Sequence, residues 1–221
     1  MAECSRLSVL TVSERPKGDR TSGRRHNELC HADRFEKLSH FEYITVFVSI
    51  ILALSVARLL DGIGPALRPE GRYLVHVGWM FQKFLNIVLW WWTLWLATNA
   101  NWNLGLFLYE MVVPIVFYLQ CKALVTPSQG SPNDWSVRFE EIRIWFFAGN
   151  IVLVLSVMSI PLLFQGDGLA AMFGALPALV VLGLVAVIGI VFRQPRIHGI
   201  LVTVAIVTQL VGIGNAIFVV S

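Results

Sequence analysis

The stretch "LSHFEYITVFVSIILALSVARLLDGIG", Leu38 to Gly64, divides the chain into two kinds of polymer. From Ile44 to Ala57 it carries no charge, and it is too apolar and too long for the face of a water-soluble helix. About 20 apolar residues take a helix across a hydrocarbon core of roughly 30 Å. Working outward, 56% of the 221 residues are hydrophobic and 14% are charged, with mean hydropathy +0.68. A soluble domain is about a quarter charged. The charge is also uneven: residues 1–40 hold eight Lys/Arg and six Asp/Glu, and the far longer remainder holds nine and eight. Lipid is the solvent that most of this chain expects.

Six stretches are long and apolar enough to cross: 41–62, 73–97, 103–125, 143–164, 170–192 and 197–220. The fold class this predicts is all-α, a polytopic transmembrane bundle over 41–221 preceded by a disordered hydrophilic tail over 1–40. Short connections make sequential helices antiparallel neighbours. The one long connection, "TPSQGSPNDWSVRFEEIR", contains Ser131, Pro132 and Asp134 at cap, first-position and first-turn spacing. A short interfacial helix bending into span four is expected there. Pro114, Pro161 and Pro177 fall inside spans, where proline is tolerated as a kink. Residues 1–40 hold no apolar run long enough for a signal-peptide core.

Lys and Arg close to span ends favour the cytoplasmic side. Arg58, Arg68, Arg72, Lys122, Arg138, Arg143, Arg193 and Arg196 all fall at or in the odd-numbered connections, and Lys83 lies inside a span. That pattern puts the odd connections in the cytoplasm and both termini outside. The basic tail opposes it. Either the tail is translocated against its charge, or translation begins at Leu38 on a bacterial leucine start codon and the product opens "MSHFEYITVF". Of the two, the sequence favours the later start.

The pieces "SHFEYITVFVSIILAL", "ARLLDGI", "LNIVLWWWTLW" and "RIWFF" resemble an uncharacterised bacterial multi-pass membrane protein family, whose members begin near a Phe-Glu-Tyr motif. The resemblance implies the shorter start and a bacterial inner-membrane location. It implies no activity and no catalytic residue.

Polar groups inside a bilayer are costly and so become functional candidates. Gln82, Asn86, Trp90 and Thr93 recur at spacings of four, four and three, which places them on one helix face with Lys83 beside it. At 1.5 Å per residue Lys83 lies roughly 15 Å from the cytoplasmic end of span two, and Gln209 about 18 Å from that of span six. A midplane cluster of Lys83, Asn86 and Gln209, with Asn150 and flanking Gln82, is predicted. Glu110 is the one acid well inside a span, but its depth differs from that of Lys83 by about 12 Å, long for a direct pair. These groups serve either as hydrogen bonds between helices or as an ion or solute path.

At the cytoplasmic interface, Arg58 and Asp61 are spaced to pair along span one. His76 and His198 sit at matching depth in spans two and six, which is compatible with a haem or metal and equally with ordinary interfacial histidines. His26, His31 and His40 fall in the tail and its junction. Trp90, Trp91, Trp92, Trp95 and Trp102 read as an interfacial belt. Gly212, Gly214 and Asn215 read as a close-packing face, with Gln209 able to bond across. Glu140 and Glu141 read as a solvated turn with Arg138 and Arg143. Cys4, Cys30 and Cys121 show no paired spacing, so Cys121 is expected to be a buried thiol. No nucleophile motif, phosphate-binding loop, zinc spacing or carboxylate pair is present, and no metal or cofactor is expected.

The functional reading is a non-enzymatic structural, interaction or sensing component of the inner membrane. Its alternatives are a small transporter or channel around Lys83 and a haem-binding electron carrier. Its partners are lipid and a second copy or another membrane protein. Nucleic acid is excluded, because no basic patch is interleaved with aromatics.

Overall fold

In a computed structural model, backbone is described for residues 20–68, 72–94, 102–127, 134–163 and 168–220. Side chains are described for 41–68, 72–94, 102–127, 134–159 and 176–214. The described residues form six helices and no strand: α1 (Arg20–Ala66), α2 (Leu74–Thr93), α3 (Leu104–Val125), α4 (Trp135–Leu163), α5 (Gly168–Val191) and α6 (Pro195–Val220). Four stretches among them are long and apolar enough to cross a membrane: Phe41–Ala66, Leu104–Val125, Trp135–Ser159 and Pro195–Gly214. Over described side chains α5 contributes a shorter apolar stretch, Leu176–Val191. Helix α2 falls outside the four because His76, Gln82, Lys83 and Asn86 dilute it.

The chain divides at Tyr43/Ile44 into two units. In the first, the α1 backbone is helical from Arg20, well inside the stretch expected to be a disordered tail. No proline falls between Pro16 and Pro65 to break it. Residues 1–19 lie outside the described residues, as do the side chains of 20–40.

In the second unit the helices alternate in direction. Phe47 near the start of α1's apolar stretch meets Phe107 at the start of α3, with ring centroids 6.1 Å apart. Gly62 at the end of α1 faces Val125 at the end of α3. Trp91, at the end of α2, donates to Ser49 at 3.1 Å. A Cβ on Gly62 would stand 2.5 Å from Val125, so glycine sets the spacing of α1 and α3. On the other side Gly78 admits Val202, bringing α2 against α6. Valine, leucine, isoleucine and phenylalanine side chains of every helix stand exposed around the outside. Lipid solvates such a surface, and water does not.

The expected interfacial helix before span four takes another form. Among the described residues, α4 is one continuous helix from Trp135. Its N-cap is Asp134, whose Oδ1 accepts from the Ser136 backbone N–H (2.9 Å) and hydroxyl (2.6 Å) and from Val137 N–H (3.3 Å). These bonds, the Ser136 hydroxyl first, hold the Asp134 carboxyl below its ordinary range. The proposed start at Ser131 and Pro132 lies outside the described residues. Asn103 caps α3 in the same way, accepting from Leu106 N–H at 2.9 Å.

Candidate functional site

Starting α4 at Trp135 carries its arginines deeper than a turn would. Arg143, read from sequence as part of a solvated turn, is 3% exposed. Its Nη1 donates to the carbonyls of Gly189 (2.8 Å), Ile190 and Phe192 (3.2 Å) at the C-terminus of α5. Arg138 donates Nε (3.1 Å) and Nη2 (2.8 Å) to Ala123 O at the C-terminus of α3. Each guanidinium thus satisfies carbonyls that a helix end leaves without partners, and places positive charge at the negative end of the dipole. Glu141 and Glu140 pair with the two arginines at 3.2 and 3.4 Å from more exposed positions. Gly189 makes the approach feasible, since a Cβ there would stand 2.5 Å from the Phe147 ring.

An aromatic layer lies beside these caps. His76 Nε2 donates to Leu124 O at 2.9 Å, which fixes the tautomer and leaves buried Nδ1 without a partner. His198 stacks on Phe147 at 5.7 Å. Both imidazoles pack edge-on against Phe139, at 6.2 and 5.0 Å. A shared haem iron needs one nitrogen from each ring facing the metal. His76 Nε2 is committed to a carbonyl and Phe139 packs against both rings, while His76 Nδ1 and both His198 nitrogens have no hydrogen-bond partner. No cluster of three or more His, Cys, Asp and Glu side chains able to hold a metal ion occurs among the described residues.

The predicted midplane cluster is partly assembled. Lys83 is fully buried and donates to Asn150 Oδ1 at 2.6 Å. Its Nζ lies 5.4 Å from the centroid of Phe117 and 5.1 Å from that of Phe146. An amide oxygen and two ring faces are what an ammonium attracts. Gln120, absent from the sequence reading, donates to the same Asn150 oxygen (3.1 Å) and to Phe146 O (2.7 Å). Gly149 leaves room for it, because a Cβ there would meet the Gln120 amide at 2.5 Å.

Beside this cluster is a part-open cavity of about 50 Å³ walled by α2 to α6. Gln82, Asn86 and Trp90 line it from one face of α2 together with Trp79, and Asn150 and Phe117 join from α4 and α3. The indole nitrogens of Trp79 and Trp90 and Oε1 of Gln82 are buried and without hydrogen-bond partners. Trp90 therefore belongs to the chamber and not to an interfacial belt, whereas Trp91 and Trp92 are about half exposed (52% and 53%). Trp95 lies outside the described residues.

Other residues singled out in the sequence stand apart from this cluster. Gln209 is buried with Oε1 unpartnered and makes no bond to Lys83, Asn86 or Asn150. Its helix meets the chamber at Ala205 instead. Glu110 is buried and makes no ion pair with Lys83, in keeping with the difference in depth. Arg58 and Asp61 are both exposed and form no ion pair, since nothing holds two solvated side chains together. A Cβ on Gly212 or Gly214 would meet nothing within 4 Å, so they make no close packing face within the described bundle. Asn215's side chain lies outside the described residues. Cys121 is buried and unpaired, while Cys4 and the side chain of Cys30 lie outside the described residues.

Fold and site together define an all-helical protein with helices able to cross a membrane and polar side chains enclosed among them. Comparison with protein-family models, with curated proteins and with solved structures returned no match.

Proposed function

We propose that this chain is a six-span protein of the bacterial inner membrane that encloses a binding chamber for a small solute, acting without enzymatic chemistry as a sensing or transport module. The observation that carries the reading is the chamber itself. Gln82, Asn86 and Asn150 bring amide side chains to its lining, and in a bilayer polar groups are expensive unless something answers them. Alternation of α1 to α6 supports six crossings, with the ends of the polar-diluted α2 and of α5 level with those of their neighbours. Arg138, Arg143 and the basic residues at the ends of α1, α3 and α5 gather at one end, which supports a cytoplasmic Arg143 end and outward termini. Membership of the family that the Phe41-Glu42-Tyr43 opening resembles belongs to the same proposal.

Silver-ion accessibility tests it. In a background with Cys4, Cys30 and Cys121 replaced, Asn86→Cys on the chamber wall is expected to react with aqueous Ag⁺ in reconstituted vesicles. Val88→Cys, on the outer face of the same helix (43% exposed, to lipid), is expected to stay unreactive. Equal silence at both positions would mean a dry chamber and would overturn the reading.

A further inference from the structure

We infer that one anionic phospholipid docks in a shallow groove along α6, beside the start of α2. Its phosphate rests on Arg72, Arg193 and Arg196, and one acyl chain follows the outer face of α6. That lipid sits on the outside of the bundle, so its binding does not depend on what the chamber holds.

Register brings the charges together. Helices α2 and α6 run in the same direction, with Gly78 facing Val202 and Gly199 facing Val75. Three residues before Gly199 and Val75 stand Arg196 and Arg72, so the two arginines share one level where both helices begin. Arg193 joins them from the turn between α5 and α6, next to Phe192, whose carbonyl Arg143 holds. All three are exposed, and none makes a hydrogen bond or ion pair among the described residues. Arg138 and Arg143, in contrast, are answered by helix-end carbonyls and by Glu141 and Glu140. Three cations without an acid set the sign of the partner they lack. The helix starts add to that sign, since each carries the positive end of its dipole.

Beyond the charges the surface turns apolar. Arg196 opens a groove of about 520 Å³ that Gly199, Ile200, Thr203 and Val204 continue. Thr203 donates its hydroxyl to Gly199 O at 2.9 Å, which leaves no free hydrogen-bond donor there, and Ile200 is 65% exposed. From Arg196 to Val204 the groove runs about 12 Å along the helix, with charge at one end and hydrocarbon for the rest. A water-soluble anion would use only the first part, whereas a phospholipid uses both. Basic pockets between transmembrane helices hold anionic head groups in this manner.

The test uses the full-length protein in neutral detergent, followed by thermal midpoint and by native mass spectrometry of retained lipid. Phosphatidylglycerol and cardiolipin are expected to stabilise saturably and to stay bound as discrete adducts. Phosphatidylcholine and inorganic phosphate should do neither. Arg72→Gln and Arg196→Gln should each weaken the apparent affinity for phosphatidylglycerol about fivefold, and together about 25-fold. Thr203→Trp fills the groove with the arginines intact and should weaken it by a similar factor to one arginine. Arg68→Gln, at an exposed arginine just past the end of α1, should change nothing. Equal stabilisation by phosphatidylcholine, or equal loss from Arg68→Gln and Arg196→Gln, would reduce the effect to diffuse contact and overturn the inference. So would a response to inorganic phosphate matching that to lipid, which assigns the arginines to a soluble anion. A stable dimer that retains no lipid would overturn it too, by giving the groove to a second copy.

Discussion

At the Arg143 end of the bundle, two guanidinium groups close the carbonyl ends of two neighbouring helices, and their charges are answered by Glu140 and Glu141. About 10 Å further along α4, by the rise between residues 143 and 150, one ammonium rests on a single amide oxygen beside indoles that bond nothing. Both regions bury cations, yet only the first pairs them with carboxylates, and even there Arg143 Nε and both nitrogens of His198 have no hydrogen-bond partner. A polar group whose partners are supplied by the fold holds the fold together.

The sharpest way to break this contrast is Asn150→Leu. It strips the Lys83 ammonium of its hydrogen bond to an amide oxygen and should lower unfolding stability by about 3 kcal/mol or more, read by denaturant unfolding in micelles. Lys83→Met/Asn150→Leu should recover most of that loss, because an apolar pair replaces a polar one. A double variant as weak as the single one would show that the bond itself does not matter. Next in size, Arg143→Leu exposes three carbonyls of α5 and should cost about 3 kcal/mol. Arg143→Lys should recover only part, since an ammonium lacks the guanidinium fork. A full rescue by lysine would reduce the cap to simple charge.

Smaller effects sharpen the comparison. Gly189→Ala drives a Cβ into the Phe147 ring beside the cap and should destabilise by about 1–3 kcal/mol, seen as a lower thermal midpoint. Smallest is the cap of α4. Asp134 has a lowered carboxyl pKa when folded, so its contribution is present above the ordinary aspartate range and is lost as pH falls through the lowered value. Asp134→Ala should lower the midpoint slightly at neutral pH and leave it unchanged in acid; a difference that persists in acid would place the effect elsewhere.

The helical class and the burial of Lys83 were legible because they depend on hydropathy and helical rise alone. The Lys83–Asn150 contact followed from depth, and the Gln82, Asn86 and Trp90 face from period. Gln120 went unnoticed within "FYLQCKAL", although an amide in an apolar run was a usable signal. Trp90 was read both on that face and in the belt, because hydropathy does not report which side of a helix meets lipid, and Trp79 was not singled out. Arg143 was misjudged by where α4 starts. A helix beginning eight residues earlier than the apolar span turns an interfacial charge into an internal one, and composition does not locate that first turn.

The two arginines of α4 have a mechanical consequence. By gripping the ends of α3 and α5 from between them, they join three helices into a raft. Helix α2, lying against α6 through Gly78, is tied to that raft by the bonds from His76 to Leu124 and from Lys83 to Asn150. If the bundle rocks, the seam runs between raft and pair, and the lysine is one of its latches.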